Sequence, residues 1–188
     1  TKLAVTRQNG IAGVQVPLRT WEEGSTEEVL CVAGKPEAET DPVTQGSDSP
    51  FHLDMVNGQT AGAAMKRFNR DGKFHVGRWS KPEDQVSVNL LVSQPGRYRA
   101  SIRYAARPEW AGRKFVLEIG SQRMEKTVTA TGEWYEYKLF DLGTVTIPNK
   151  GALRVAIHPA GASKDNLMYF ESLQLEPETV SGRLGRLD

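Results

Sequence analysis

The chain has 188 residues, and its 24 lysines and arginines nearly cancel its 23 aspartates and glutamates, leaving a formal charge of +1. That balance gives no long-range field toward nucleic acid or anionic lipid, so neither is an expected partner. A single cysteine, Cys31, excludes an internal disulfide and any multi-cysteine metal site. No apolar run approaches the roughly 20 residues that cross a bilayer.

The first 34 residues read as a hairpin followed by a third strand. Leu3 and Val5 precede the turn Asn9-Gly10, and Ile11, Val14 and Val16 follow it. A polar loop from Trp21 to Thr26 leads to a short apolar strand at Val29, Leu30, Cys31 and Val32. Three strands do not make a domain. The chain opens on Thr1, with no initiating methionine and no secretory signal pattern, so it is expected to be a C-terminal piece of a longer protein. Residues 35–50 hold Pro36, Pro42 and Pro50 with Gly46, Ser47 and Ser49 among acids, the composition of an extended linker.

From Phe51 to residue 177 the pattern is strand after strand. Val86, Val88, Leu90 and Val92 alternate with polar or outward positions. So do Tyr98, Ala100, Ile102 and Tyr104; Phe115, Leu117 and Ile119; Leu153, Val155 and Ile157; and Leu173 with Leu175. A period of two puts each set on one face, with Arg97, Arg99 and Arg103 on the opposite face of theirs. Turn residues at Gln94-Pro95-Gly96, Gly120-Ser121, Asn149-Lys150-Gly151 and Ala160-Gly161 fall at the spacing of an antiparallel sandwich. The expected fold is an all-β antiparallel β-sandwich, with residues 178–188 as a tail.

Nothing in the motifs points to catalysis. His52, His75 and His158 are far apart in sequence, and the chain has no Gly-x-Ser-x-Gly elbow and no phosphate-cradling glycine loop with a lysine. The expectation is that this chain is not an enzyme and needs no cofactor. Aromatic residues carry the functional reading instead. The run Thr131-Gly132-Glu133-Trp134-Tyr135-Glu136-Tyr137 reads as a turn that launches an aromatic strand. Trp79 follows Gly77 at a second junction between loop and strand. A flat ring stacks on the C–H face of a pyranose, at about 25 cal/mol per Å² of apolar area removed from water. The same rings can instead seal the end of a sandwich. Tyr135 and Tyr137 share a face that reads as core or sheet surface. Trp110 falls in a loop, as an interdomain contact or a second stacking surface.

These pieces in order carry a resemblance. Gly77-Arg78-Trp79, Gln94-Pro95-Gly96-Arg97-Tyr98, Arg103-Tyr104-Ala105, Thr131-Gly132-Glu133-Trp134, Asp141-Leu142-Gly143-Thr144-Val145, Asn166-Leu167-Met168 and Leu173-Gln174-Leu175 together resemble the carbohydrate-binding modules of families six and thirty-five. The version found at the C-terminal end of bacterial α-L-fucosidases is the most similar. Glu28 to Glu37 resembles the closing strands of the small β-sandwich that follows the catalytic barrel in those enzymes.

The resemblance implies a jelly roll over residues 51–177, preceded by closing strands at 1–34 and a linker at 35–50. It implies a non-catalytic accessory module that holds a secreted or periplasmic glycoside hydrolase near glycan, with glycan and the parent catalytic domain as partners. A structural β-sandwich that only supports a catalytic domain or an oligomer interface is the competing reading. Ligand-binding roles carry over to Trp79, Trp134 and Asn166. The family's structural calcium has its nearest acids in Asp54 and Glu171, without the usual N-terminal acidic pair.

Overall fold

The computed structural model describes residues 5–8, 11–14, 42–45, 50–163 and 165–178. The strand expected at Val29–Val32, the loop from Trp21 to Thr26, Cys31, most of the 35–50 stretch and residues 179–188 lie outside the described residues. The chain divides into two compact units, Thr1–Ala38 and Glu39–Asp188. In the first, strands β1 (Val5–Gln8) and β2 (Ile11–Val14) pair antiparallel with Gln8 opposite Ile11.

The second unit is a sandwich of two sheets. Its strands in chain order are β3 (Val43–Thr44), β4 (Phe51–Asp54), β5 (Gln59–Ala61), β6 (Lys66–Arg70), β7 (Lys73–Gly77), β8 (Gln85–Val92) and β9 (Gly96–Ala105). They continue with β10 (Lys114–Ile119), β11 (Gln122–Thr127), β12 (Lys138–Ile147), β13 (Gly151–Pro159) and β14 (Tyr169–Pro177). One sheet runs β11-β10-β13-β8-β3, with β5 also on β8; the other runs β12-β9-β14-β7-β6, with β4 also on β14. Every pairing in the sandwich is antiparallel except that of β3 with β8. Val43 and Thr44, expected as linker, are therefore part of the sandwich. Gln45 fastens them: its side chain donates to the Tyr98 hydroxyl at 2.7 Å and accepts from the Gln94 amide at 2.9 Å.

The alternating sets fill the core. Val86 to Val92, Tyr98 to Tyr104, Phe115 to Ile119, Val155 with Ile157, and Leu173 with Leu175 are buried at their apolar positions. Phe51, Leu53, Trp79 and Phe170 join them. Two bulges break the period. In β12 the register against β9 shifts between Asp141 and Gly143, which turns Leu142 into the core while Asp141 stays outside and takes a two-point contact from Arg99. In β14 it shifts between Phe170 and Ser172. Phe170 and Leu173 thus both face inward although three residues apart, and Glu171 is the extra residue of the bulge. It lies buried, with Arg103 Nε on its Oε1 at 2.9 Å and Lys73 Nζ at 3.4 Å. The outward arginines of β9 are paired rather than simply solvated, Arg97 with Glu178, Arg99 with Asp141 and Arg103 with Glu171.

Candidate functional site

The run from Thr131 to Tyr137 is a loop, not the start of a strand. Thr131 anchors it to the end of β9, since its amide donates to the Ala106 carbonyl at 2.8 Å and its hydroxyl accepts from the Ala106 amide at 2.9 Å. Gly132 then takes a φ of +125°, and a Cβ there would fall on the Glu136 carboxylate, so the position requires glycine. The Glu136 amide closes a turn onto the Glu133 carbonyl at 3.1 Å, and β12 begins only at Lys138. The turn holds Trp134 and Tyr135, with Tyr137 just after it, so the three aromatic residues do not follow the two-residue period of a strand.

Trp134 is 37% exposed and Tyr135 47%. Their rings meet edge to face at 5.5 Å and 85°, and Trp134 also packs on Tyr169 at 5.8 Å. Beneath them Tyr169 is held by Phe68 at 5.3 Å and Trp110 at 5.4 Å. Arg70, at the end of β6, places its guanidinium 5.3 Å from the Trp134 ring and 5.2 Å from that of Tyr135. The result is an aromatic corner with a cation at its edge.

Of the residues expected to bind, Trp134 is the one with an accessible ring. Trp79 has no exposed surface. Its indole packs edge to face on Phe170 at 6.5 Å, with its N–H directed to the Val76 carbonyl at 3.3 Å, so a sugar has no face to stack on. Asn166 is buried as well. Its Oδ1 accepts from the amides of Arg78 (2.8 Å), Trp79 (3.1 Å) and Leu167 (3.1 Å), which leaves that oxygen no free role toward a ligand. The Trp79 ring and Asn166 Oδ1 are thus taken up by the fold, while Asn166 Nδ2 is buried without a partner among the described residues. Asn166 holds the loop after β7, and Gly77 at its root lets Tyr169 come close, because a Cβ there would lie 2.5 Å from Tyr169 Cε1. Trp110, in the 3-10 turn Pro108–Trp110, is buried against Tyr169 rather than presented as a second surface, with its N–H 3.4 Å from Asp165 Oδ2. The Arg113 hydrogen bond keeps that Asp165 carboxyl below its usual range.

Tyr137 and His75 lie behind the corner, their rings 4.5 Å apart. Burial, with the nearby Glu171 carboxylate adding to it, pushes the Tyr137 phenol well above its ordinary value. Burial pulls the His75 imidazole below its ordinary value, against the opposing pull of Glu171. Asp54 and Glu171 do not fit a calcium ion. Glu171 Oε1 already faces two cations, Asp54 Oδ1 accepts from the Val56 amide at 2.8 Å, and the described residues hold no group of three metal-ligating side chains. Tyr169 and Arg70 are the members of the site that sequence reasoning missed. Tyr169 is adjacent to the Asn166-Leu167-Met168 motif, and Arg70 immediately precedes the Asp71-Gly72 turn.

A two-sheet β-sandwich with aromatic rings gathered at one rim is the class that fold and site define. Within it, the chain belongs to the family described as a domain of unknown function (DUF5077), whose model matches residues 58–180. No curated protein matches the sequence. Among solved structures, a family 35 carbohydrate-binding module from Clostridium thermocellum is similar with a TM-score of 0.58 and 14% identity, over 69% of this chain and 98% of that one. The C-terminal family 6 module of the laminarinase LamC from Zobellia galactanivorans is similar at 0.54 and 13% identity, over 68% of this chain and 99% of that one. The mosquito-larvicidal Cry4Aa toxin from Bacillus thuringiensis is similar at 0.60 and 12% identity, over 73% of this chain but 25% of the toxin. At such identities the likeness is one of fold.

Proposed function

We propose that the chain is a non-catalytic carbohydrate-binding module whose sugar platform is the Trp134–Tyr135 corner. The observation that carries this reading is the partial exposure of two rings in edge-to-face contact, Trp134 resting on Tyr169, which Phe68 and Trp110 flank in turn. A pyranose stacked there removes apolar area from water, and Arg70 at the edge supplies planar donors for its hydroxyls. The two neighbouring modules named above support the reading by fold. A parent hydrolase of the α-L-fucosidase type, and with it a secreted or periplasmic location, rests on the sequence motifs alone. Trp79 and Asn166 enter this proposal as supports of the platform.

The competing reading is a structural sandwich that touches no glycan. It is favoured by the position of Arg70, whose guanidinium already lies against both rings. A glycan array followed by affinity electrophoresis, run with the full chain and with Trp134→Ala, separates the two. Binding that disappears in a folded Trp134→Ala supports the module. Absence of binding to any glycan at millimolar concentration supports the structural reading.

A further inference from the structure

The ladder along β14 leaves a gap. On one edge β7 pairs with it only through Phe170, and β4 takes over from Ser172, so the bulged Glu171 falls between the two partners. A cavity of about 360 Å³ opens there, bounded by β4, the turn between β6 and β7, β9 and β14. Its size is within the range of small-molecule pockets. It shares no lining residue with the Trp134–Tyr135 corner.

The lining has unspent hydrogen-bonding capacity. Ser172 is 2% exposed and its hydroxyl has no partner among the described residues, an expensive arrangement unless something else fills the role. Glu171 is 7% exposed and takes both of its cations on Oε1, while Oε2 has only His75 Nδ1 at 3.9 Å. Gln174 lies on the rim, in contact with His52 at 3.2 Å, and Phe74 adds apolar surface. The charges cancel: Lys73 and Arg103 are matched by Glu171 and Asp54. A dication would meet the two bases, and a free anion would meet the two carboxylates. A neutral ligand with several adjacent hydroxyls satisfies donors and acceptors placed side by side without adding charge.

We propose that this cavity is a second binding site, for a single neutral saccharide unit, independent of the aromatic corner. The test is an amide NMR titration of the full chain with the methyl glycosides of glucose, galactose, mannose and fucose. The expected result is a shift of the Lys73, Ser172 and Gln174 amides with at least one glycoside, at a dissociation constant of about 1–10 mM. That shift persists in Trp134→Ala and weakens about tenfold in Lys73→Ala and in Gln174→Ala, exposed or rim substitutions that leave the core intact. Absence of shifts at these amides with every glycoside overturns the proposal, whatever the Trp134 face does. Shifts abolished by Trp134→Ala, or unchanged by both cavity variants, overturn it too. Loss of binding at the corner alone, with the cavity shifts retained, counts against the platform and not against this site.

Discussion

Two loops in this sandwich carry the same short signal, a glycine, a charged residue and a tryptophan, and they put it to opposite uses. In Gly77-Arg78-Trp79 the backbone turns through a positive φ of 65° at Arg78, and Asn166 Oδ1 collects the amides that this turn frees. The chain is thereby bent inward and Trp79 enters the core. In Gly132-Glu133-Trp134 the positive φ belongs to the glycine itself, the next residues close a turn of their own, and among the described residues no side chain draws the tryptophan amide inside. Trp134 stays at the rim. A ring's fate here is decided by which residue absorbs the left-handed backbone and by what receives the freed amides, not by the tryptophan.

The comparison is sharpest in stability. Trp79→Ala removes a fully buried ring and is expected to cost about 3–5 kcal/mol of unfolding free energy in urea denaturation. Asn166→Ala leaves three amides without their acceptor and is expected to cost about 2–3 kcal/mol. Gly77→Ala, driven against the Tyr169 ring, is expected to cost about 1–3 kcal/mol. Trp134→Ala is expected to cost about 1 kcal/mol, because the ring is already partly in water. A Trp134 cost equal to that of Trp79 would erase the distinction between the loops. Binding should reverse the order: Trp134→Ala abolishes glycan retention, and Tyr135→Ala weakens it several-fold.

How far the residues alone foretold this differs between core and rim. The alternation through Val86–Val92 and Tyr98–Tyr104 was legible because one face of a regular strand must be apolar, and both sets are buried. Phe170 was not legible as a partner of Leu173, because the bulge at Glu171 breaks the period of two and a bulge leaves no fixed sequence signal. At the rim, Trp134 was legible as an aromatic beside a glycine turn. The burial of Trp79 was not, since it depends on a side chain 87 residues further along the chain. Tyr135 was expected in the core or on a sheet surface, and it is out because residues 132–135 turn instead of pairing.

His75 is where the two loops meet, two residues before Gly77 and with its ring against that of Tyr137, and it gives the smallest of the expected effects. Burial dominates over the opposing pull of Glu171, with Tyr137, Phe68, Lys73 and Arg70 also around the ring, and the net result is a folded-state pKa below the ordinary value. The unfolded chain therefore takes up the proton more readily. The contribution is complete above the unfolded value of about 6.5 and is lost as pH falls below it toward the folded value, with a slope of at most about 1.4 kcal/mol per pH unit for one proton. Urea midpoints of the full chain and of His75→Gln between pH 8 and pH 5 check this. The difference between the two proteins should shrink on acidification, since only the wild type loses this contribution. A difference that stays constant over that range would mean that the imidazole is as easily protonated in the fold as out of it, and that the link between the two loops is made by packing alone.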